Sequence, residues 1–275
     1  MKNIIIITAN AIRHNYFKIL FSNNKDINVL KTYVESDDNF ILKTIKIDQK
    51  NLNNKADLHF DIRHNTEYDF FSDVIESCED KSNSKYIKKG RINDSFIVNE
   101  IIKLSPDLII TYGCSIIKPA LINHFRGRIV NVHLGLSPYY FGSGTNFHCL
   151  VNCEFQFEGY TFIYMDEGVD TGQIIHQSRA QILPFDNPHQ IGNRLIKQMT
   201  RDFINLILNF NLIKNKKPVT SVKGRTYSTK DATDELTLQL YKNFDDDAVI
   251  KYLFNRTKLL LKSPLIEQSF LITQE

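Results

Sequence analysis

Asn131 and His133 stand two residues apart in the run Ile129-Val-Asn-Val-His133, and Asp170 follows downstream in Met165-Asp-Glu-Gly-Val-Asp-Thr-Gly172. On an extended strand, residues i and i+2 leave the same face, so the amide and the imidazole would emerge together. The loop beyond them holds Gly135, Pro138, Gly142 and Gly144, which disfavour a regular strand. An amide donor, an imidazole that titrates near neutrality and a carboxylate are the parts of an acyl-transfer site. Each also has a plain structural reading. The histidine can be satisfied in the core, the asparagine can cap the loop, and the aspartate can turn the chain between Gly168 and Gly172. Shared placement, more than residue type, is what would favour chemistry.

The surrounding pattern predicts that placement. Ile4 to Thr8 is a β-branched run with a polar break at Asn10, and Tyr16 to Phe21 suits a helix. Strands are further predicted over 27–34 and 40–47, a surface loop over 48–65 and a helix over 67–78. Asn93 or Asp94 caps a helix carrying Ile97, Val98, Ile101, Ile102 and Leu104, and Pro106 ends it. A buried strand over 107–112, a turn over 113–115, a short helix over 118–125 and a strand over 128–133 follow. This alternation predicts an α/β fold, a Rossmann-like, doubly wound and mainly parallel sheet whose C-terminal edge takes ligands. The connection from Ala9 to Asn15 contains no glycine, so the dinucleotide fingerprint is absent.

After the glycine-rich loop the chain predicts a helix over 147–152 and strands over 160–165 and 173–182. Asn187-Pro-His-Gln190 then opens a helix to about Leu212, with Ile191, Leu195, Met199, Phe203, Leu206 and Phe210 as its buried stripe. The basic connector Lys214 to Pro218 divides a domain at 1–213 from a small, mostly helical extension at 214–275. Helices over 234–243 and 246–261 are expected to pack back on the larger domain, because about 60 residues make a marginal core alone.

Composition narrows the classes. A net charge of +3 across 275 residues demands neither nucleic acid nor an anionic membrane, and 42% hydrophobic content suits a soluble globular chain. No apolar run approaches the ~18 residues of a membrane span, and Ile4 to Ile7 is short of the roughly 7–15 residues of a signal core. The four cysteines at 78, 114, 149 and 153 form no framework, so a reducing cytoplasm is expected. His148, Cys149 and Cys153 lack a second ligand pair at zinc-like spacing, so no metal is expected. One echo stands out: Ile12-Arg-His-Asn15 recurs as Ile62-Arg-His-Asn65. The flanks do not repeat, and coincidence is the plain reading. The functional reading gives Arg13 or Arg63 an anionic substrate group, with Arg13 favoured because it follows the first strand.

Asn131-Val-His133, Leu136-Ser-Pro-Tyr139, Gly159-Tyr-Thr161 and the run 165–172 together resemble the folate-dependent formyltransferases, over roughly Ile92 to Ile182 and loosely over the first strand and helix. That family includes enzymes acting on glycinamide ribonucleotide, methionyl-tRNA and nucleotide-linked amino sugars. The resemblance implies 10-formyltetrahydrofolate as formyl donor and an amine as acceptor. It implies that Asn131 holds the developing oxyanion, that His133 stabilises that charge or shuttles the amine proton, and that Asp170 supports His133. It further implies that the backbone of Tyr112, Gly113, Cys114, Ser115, Ile116 and Ile117 holds the pterin.

The run Tyr139-Tyr-Phe-Gly142 departs from the Tyr-Arg-Gly that usually follows this proline in the methionyl-tRNA enzymes. Tyr139, Tyr140 and Phe141 are therefore candidates to stack on a base or sugar, with loop packing as the alternative. With a short helical extension, these residues favour a nucleotide-linked amino deoxysugar as acceptor, in a cytoplasmic chain with no nucleic-acid or membrane partner and scope for a homodimer. Methionyl-tRNA formylation and an inactive binding protein of the same fold are the alternatives.

Overall fold

The computed structural model describes residues 1–36, 55–168, 171–216 and 224–271. At its centre lies β1 (Lys2–Ala9), in which Ile4, Ile5, Ile6 and Ile7 are all fully buried. Alternate residues serve opposite faces. Ile4 and Ile6 join one core with Phe17 and Phe203, while Ile5 and Ile7 join another with Ile97, Ile101 and Leu121. A strand buried on both faces reads as a continuous apolar run, which is why this sequence lacks polar alternation there.

Around β1 pair β2 (Ile27–Ser36), β3 (Ser84–Lys88), β4 (Leu108–Tyr112), β5 (Ile129–His133), β7 (Gly159–Tyr164) and β8 (Ile174–Arg179), in the order β3-β2-β1-β4-β5-β7-β8. The first five run parallel. β7 is antiparallel to β5, with His133 opposite Thr161, and β8 is antiparallel to β7. On one face lie α1 (Ile12–Ser22), α2 (Lys55–Ser77) and α6 (Pro188–Leu208); on the other lie α3 (Ser95–Leu104) and α4 (Pro119–His124). This is the Rossmann-like, mainly parallel α/β sheet that the alternation predicts.

The start of α6 follows its sequence signals closely. The Asn187 side chain accepts hydrogen bonds from the amides of His189 and Gln190, and the Asn187 backbone N–H donates to Gln190 Oε1 at 2.9 Å. Ile191, Met199, Phe203 and Leu206 of its stripe are fully buried, while Phe210 lies beyond the helix in a 3-10 turn and is only partly covered.

Two expectations need correction. The polar stretch before Asn65 does not form a loop from residue 55 onward; α2 begins at Lys55. Its apolar anchors are concentrated late, with Phe71 fully buried against Tyr16, and its earlier polar side chains face partners rather than solvent alone. The strand expected over 40–47 lies outside the described residues. The other correction is a short strand in the extension, β9 (Arg225–Tyr227), which pairs in parallel with β6 (Tyr140–Gly142) of the glycine-rich loop.

Beyond it, α7 (Asp234–Asp245) and α8 (Ala248–Leu261) bury Leu240, Val249 and Tyr252 in the same core as Phe155 and Leu150. Thr233 accepts from the amide of Leu236, capping α7. Ile266 and Gln268 then close the exposed edge of β8: the Gln177 amide donates to Ile266 O at 2.7 Å, and Gln268 bonds both His176 and the Ile175 carbonyl at 3.0 Å. Covering an edge strand removes a template for unwanted pairing. No helix among the described residues is long and apolar enough to cross a membrane.

Candidate active site

β5 delivers Asn131 and His133 to the wall of a cleft of about 680 Å³ at the C-terminal edge of the parallel strands. In β4, Thr111 sits opposite Asn131 and its hydroxyl donates to Asn131 Oδ1 at 2.7 Å. The amide oxygen is thereby occupied, and Nδ2 is the group the amide can offer to the cleft. His133 is 6% exposed, and its Nε2 lies 3.1 Å from the carbonyl oxygen of Tyr140. A carbonyl only accepts, so Nε2 carries a proton in this contact.

The loop after β5 is shaped by close approach. A Cβ on Gly135 would fall 2.7 Å from His133 Nε2 and would collide with the Thr145 hydroxyl, which itself donates to the Leu134 carbonyl. Thr145 opens α5 (Thr145–Val151). Gly142 has φ +87°, and a Cβ there would collide with the Tyr227 carbonyl of β9.

Tyr139, Tyr140 and Phe141 do not line the cleft, contrary to the stacking expectation. Tyr139 is stacked on Phe157 and donates to the Pro264 carbonyl at 3.0 Å. Tyr140 is 1% exposed, donates to Glu154 and stacks on Tyr227. Each tyrosine has one partner in the extension, Pro264 for the Tyr139 hydroxyl and Tyr227 for the Tyr140 ring, and one in the larger domain, Phe157 and Glu154, so packing claims them. What reaches the site from this segment is the Tyr140 carbonyl.

Tyr112, Gly113, Cys114, Ser115, Ile116 and Ile117 all line the cleft. Glu35, at the end of β2, fastens this strip by accepting from the amides of Ser115 at 2.5 Å and Gly90 at 2.9 Å. Asn93 accepts from the Lys118 amide and donates to the Ile116 carbonyl. Gly113 has φ +68°, and a Cβ there would meet His14 Nε2 at 2.7 Å. The side chain of Ile116 is 70% exposed, leaving apolar surface beside the cleft.

The opposite wall carries charge. Arg13 Nη1 lies 2.6 Å from Glu67 Oε1, and Arg63 Nε reaches the same oxygen at 3.0 Å. The two echoed motifs thus converge on one carboxylate. Burial would raise the Glu67 carboxyl, yet the two arginines hold it below the ordinary carboxylate range. Arg63 is itself drawn below the ordinary arginine range, first by the Arg13 charge and then by burial. Burial also lowers His14 well below its ordinary value, His59 to about 4 and His189 to about 3. These rings are neutral at pH 7. Tyr241 of α7 lies 3.1 Å from both His59 Nδ1 and His189 Nε2, so the extension ties α2 to the start of α6.

Glu158 also borders the cleft, fully buried, accepting from the Cys149 thiol at 3.0 Å. Burial raises it to about 8, so it is protonated at neutral pH. His148 is stacked on Tyr227 with ring centroids 3.8 Å apart, and among the described residues no group of three His, Cys, Asp or Glu side chains is arranged to hold a metal. Asp170 lies outside the described residues. Thr111, His59 and His189 have no signal of their own in the sequence, since each gains its place through a partner distant in the chain, and Glu67 and Glu158 gain theirs from the burial and pairing that the fold imposes.

A parallel sheet with an amide and an imidazole at its C-terminal edge, beside a backbone-lined cleft, places this chain among Rossmann-like α/β folds with a ligand cleft at the strand ends. The chain belongs to the formyl transferase family, whose model matches residues 60–207, more than half of its length. Methionyl-tRNA formyltransferase of Alkaliphilus oremlandii (strain OhILAs) is 33% identical over 123 residues, covering 43% of this chain and 39% of that protein. Phosphoribosylglycinamide formyltransferase of Escherichia coli (strain K12) is 28% identical over 106 residues, covering 38% and 50%. The chain thus spans half or less of each of these two relatives.

Among solved structures, a sugar N-formyltransferase from Shewanella sp FDAARGOS_354 aligns with a TM-score of 0.56 at 16% identity, covering 87% of this chain and 88% of that one. Phosphoribosylglycinamide formyltransferase from Streptococcus pneumoniae TIGR4 aligns with a TM-score of 0.51 at 20% identity, covering 77% and 99%. At these identities the agreement is one of fold.

Proposed function

We propose that the protein transfers a formyl group from 10-formyltetrahydrofolate to the amine of a nucleotide-linked amino deoxysugar. The observation that carries the reading is the Asn131 amide, oriented by Thr111 beside His133 in the cleft of a formyl transferase chain. The donor fits the cleft: the strip 112–117 offers backbone polar groups, an apolar edge at Ile116 and no side chain at Gly113. When bound, 10-formyltetrahydrofolate would supply an electrophilic formyl carbon. Asn131 Nδ2 donates to the formyl oxygen as negative charge develops there, a preorganised contact needing no reorientation. His133 would stabilise that charge or take the proton the amine loses as its nitrogen bonds to the formyl carbon, while the bond from that carbon to the folate nitrogen breaks and that nitrogen takes up a proton as tetrahydrofolate leaves. The family resemblance gives Asp170, which lies outside the described residues, the part of supporting the imidazole.

The acceptor reading is supported by the extension. Leu240 lines the cleft, Tyr241 bonds His59 and His189, and β9 pairs with the site loop, so the chain beyond residue 224 helps wall a pocket of small-molecule size. The names of relatives such as that from Alkaliphilus oremlandii favour a second reading, methionyl-tRNA. The test offers the purified full chain 10-formyltetrahydrofolate with a panel of nucleotide-linked amino sugars and with charged initiator tRNA. Formylation of a sugar nucleotide is expected. Formylation of tRNA alone rejects the acceptor, and no transfer to any amine rejects the activity.

A further inference from the structure

We propose that Arg13 and Arg63 form a phosphate-binding subsite on the α1–α2 side of the cleft, with Glu67 as its internal counter-ion. The identity of the ligand rests on the sugar-nucleotide reading above; the anion selectivity rests on the wall itself. Two guanidiniums share a single carboxylate oxygen at 2.6 and 3.0 Å, and among the described residues neither has another carboxylate partner. Among the described residues one positive charge is therefore left over on this wall, because the surrounding His14, His59 and His189 are neutral. A surface ion pair needs one arginine per carboxylate. A second, partly buried one costs desolvation and repulsion from the first unless an anion joins them.

Donors without charge stand beside the pair. Tyr112 is 3% exposed, lines the cleft, and its hydroxyl makes no hydrogen bond among the described residues that meets ordinary geometric limits. Planar guanidinium forks suit a phosphate, presenting paired N–H donors to its oxygens. Arg13, Arg63, Tyr112 and Asn131 face one cleft, so a phosphate held here tethers a molecule whose other end reaches the formyl-transfer edge. Such a tether spends remote binding on orientation of the amine.

The test is isothermal titration calorimetry on the full chain with uridine diphosphate, thymidine diphosphate, inorganic pyrophosphate and 5-formyltetrahydrofolate. Arg63→Gln is expected to weaken pyrophosphate and the nucleoside diphosphates by about tenfold or more, leaving folate within about twofold. Arg63→Lys keeps the charge and is expected to recover phosphate affinity to within about threefold of wild type, a rescue that loss of packing would not give. Arg13→Gln serves as a second variant, with thermal melting confirming that each is folded.

Pyrophosphate binding that depends on Arg63 while neither nucleoside diphosphate binds supports the subsite and rejects the nucleotide-linked acceptor. Equal pyrophosphate affinity in wild type and Arg63→Gln, or no pyrophosphate binding to wild type, overturns the subsite. A larger loss for folate than for pyrophosphate also overturns it, assigning the arginines to the donor's glutamate carboxylates.

Discussion

Thr111 directs the Asn131 amide with one hydrogen bond, and the oxyanion role proposed for Asn131 rests on that direction. Thr111→Val keeps the shape but removes the donor, so the amide is free to turn. We expect kcat to fall about fivefold with little change in donor KM, since one neutral hydrogen bond is worth about 1 kcal/mol. Steady-state kinetics check this, and an unchanged kcat would show that the amide is held another way.

Glu158 gives a second residue-scale prediction. Burial raises its carboxyl from 4.5 to about 8, while the Cys149 thiol hydrogen bond acts in the opposite direction. Between those values the folded chain keeps a proton that the unfolded chain has released. Rising pH therefore erodes stability through this window by up to about 1.4 kcal/mol per unit, and the effect is complete above pH 8. Glu158→Gln should remove that component, so its stability relative to wild type should improve from pH 5 to pH 8. Denaturant unfolding at both pH values measures it, and a constant difference would contradict the buried neutral carboxyl.

At the scale of elements, the site loop depends on a strand from the extension. Gly142 has φ +87° and abuts the Tyr227 carbonyl, and the Ser143 amide donates to that same carbonyl at 2.9 Å. Gly142→Ala combines left-handed strain with a backbone collision. We expect a loss of about 2 kcal/mol or more and weaker activity, because the Tyr140 carbonyl that anchors His133 belongs to the same strand. A thermal melt within a degree of wild type would contradict the pairing.

How far the sequence discloses these elements follows from their physics. β1 and β4 are buried on both faces and β5 keeps Val130 and Val132 in the core, so all three read clearly, and α6 announces itself with Asn187, Pro188 and Gln190. Local signals sufficed there. By contrast, β9 is three residues long and exposed or half-exposed, its partner is far away in sequence, and nothing periodic marks it. The first turns of α2 are hidden in the sequence because they are polar, and a residue there such as His59 answers to Tyr241. In the site, Asn131 and His133 were legible from spacing and resemblance. Tyr139 and Tyr140 were misread as ligand contacts because an aromatic run in a glycine-rich loop looks the same whether it faces a cleft or a neighbouring helix.

For the whole molecule, neutral buried histidines set the acid limit of stability. Burial is the first cause at each: His59 and His176 lie near 4, His189 near 3 and His14 well below its ordinary value. The unfolded chain takes up protons at these rings near pH 6.5, and the fold does not until near pH 4 or below. The contribution of these rings is therefore fully present above 6.5 and lost as pH falls toward 4. Glu67, held below its ordinary range, and Glu100, held at about 2, act in the same direction at lower pH. We expect unfolding free energy to fall by more than about 2 kcal/mol between pH 6 and pH 5, from at least two protons taken up. A flat profile would mean that these rings are already charged in the fold.

The whole account turns on whether the edge of β5 performs the transfer. The most direct measurement compares single-turnover formyl transfer by wild type and Asn131→Ala, with the chain saturated in 10-formyltetrahydrofolate and its accepted amine. The prediction is a fall of about 10²–10³-fold in rate, as for loss of one oxyanion donor, with folate affinity and melting temperature unchanged. Wild-type turnover in that variant would contradict the assignment of this cleft as the site of transfer.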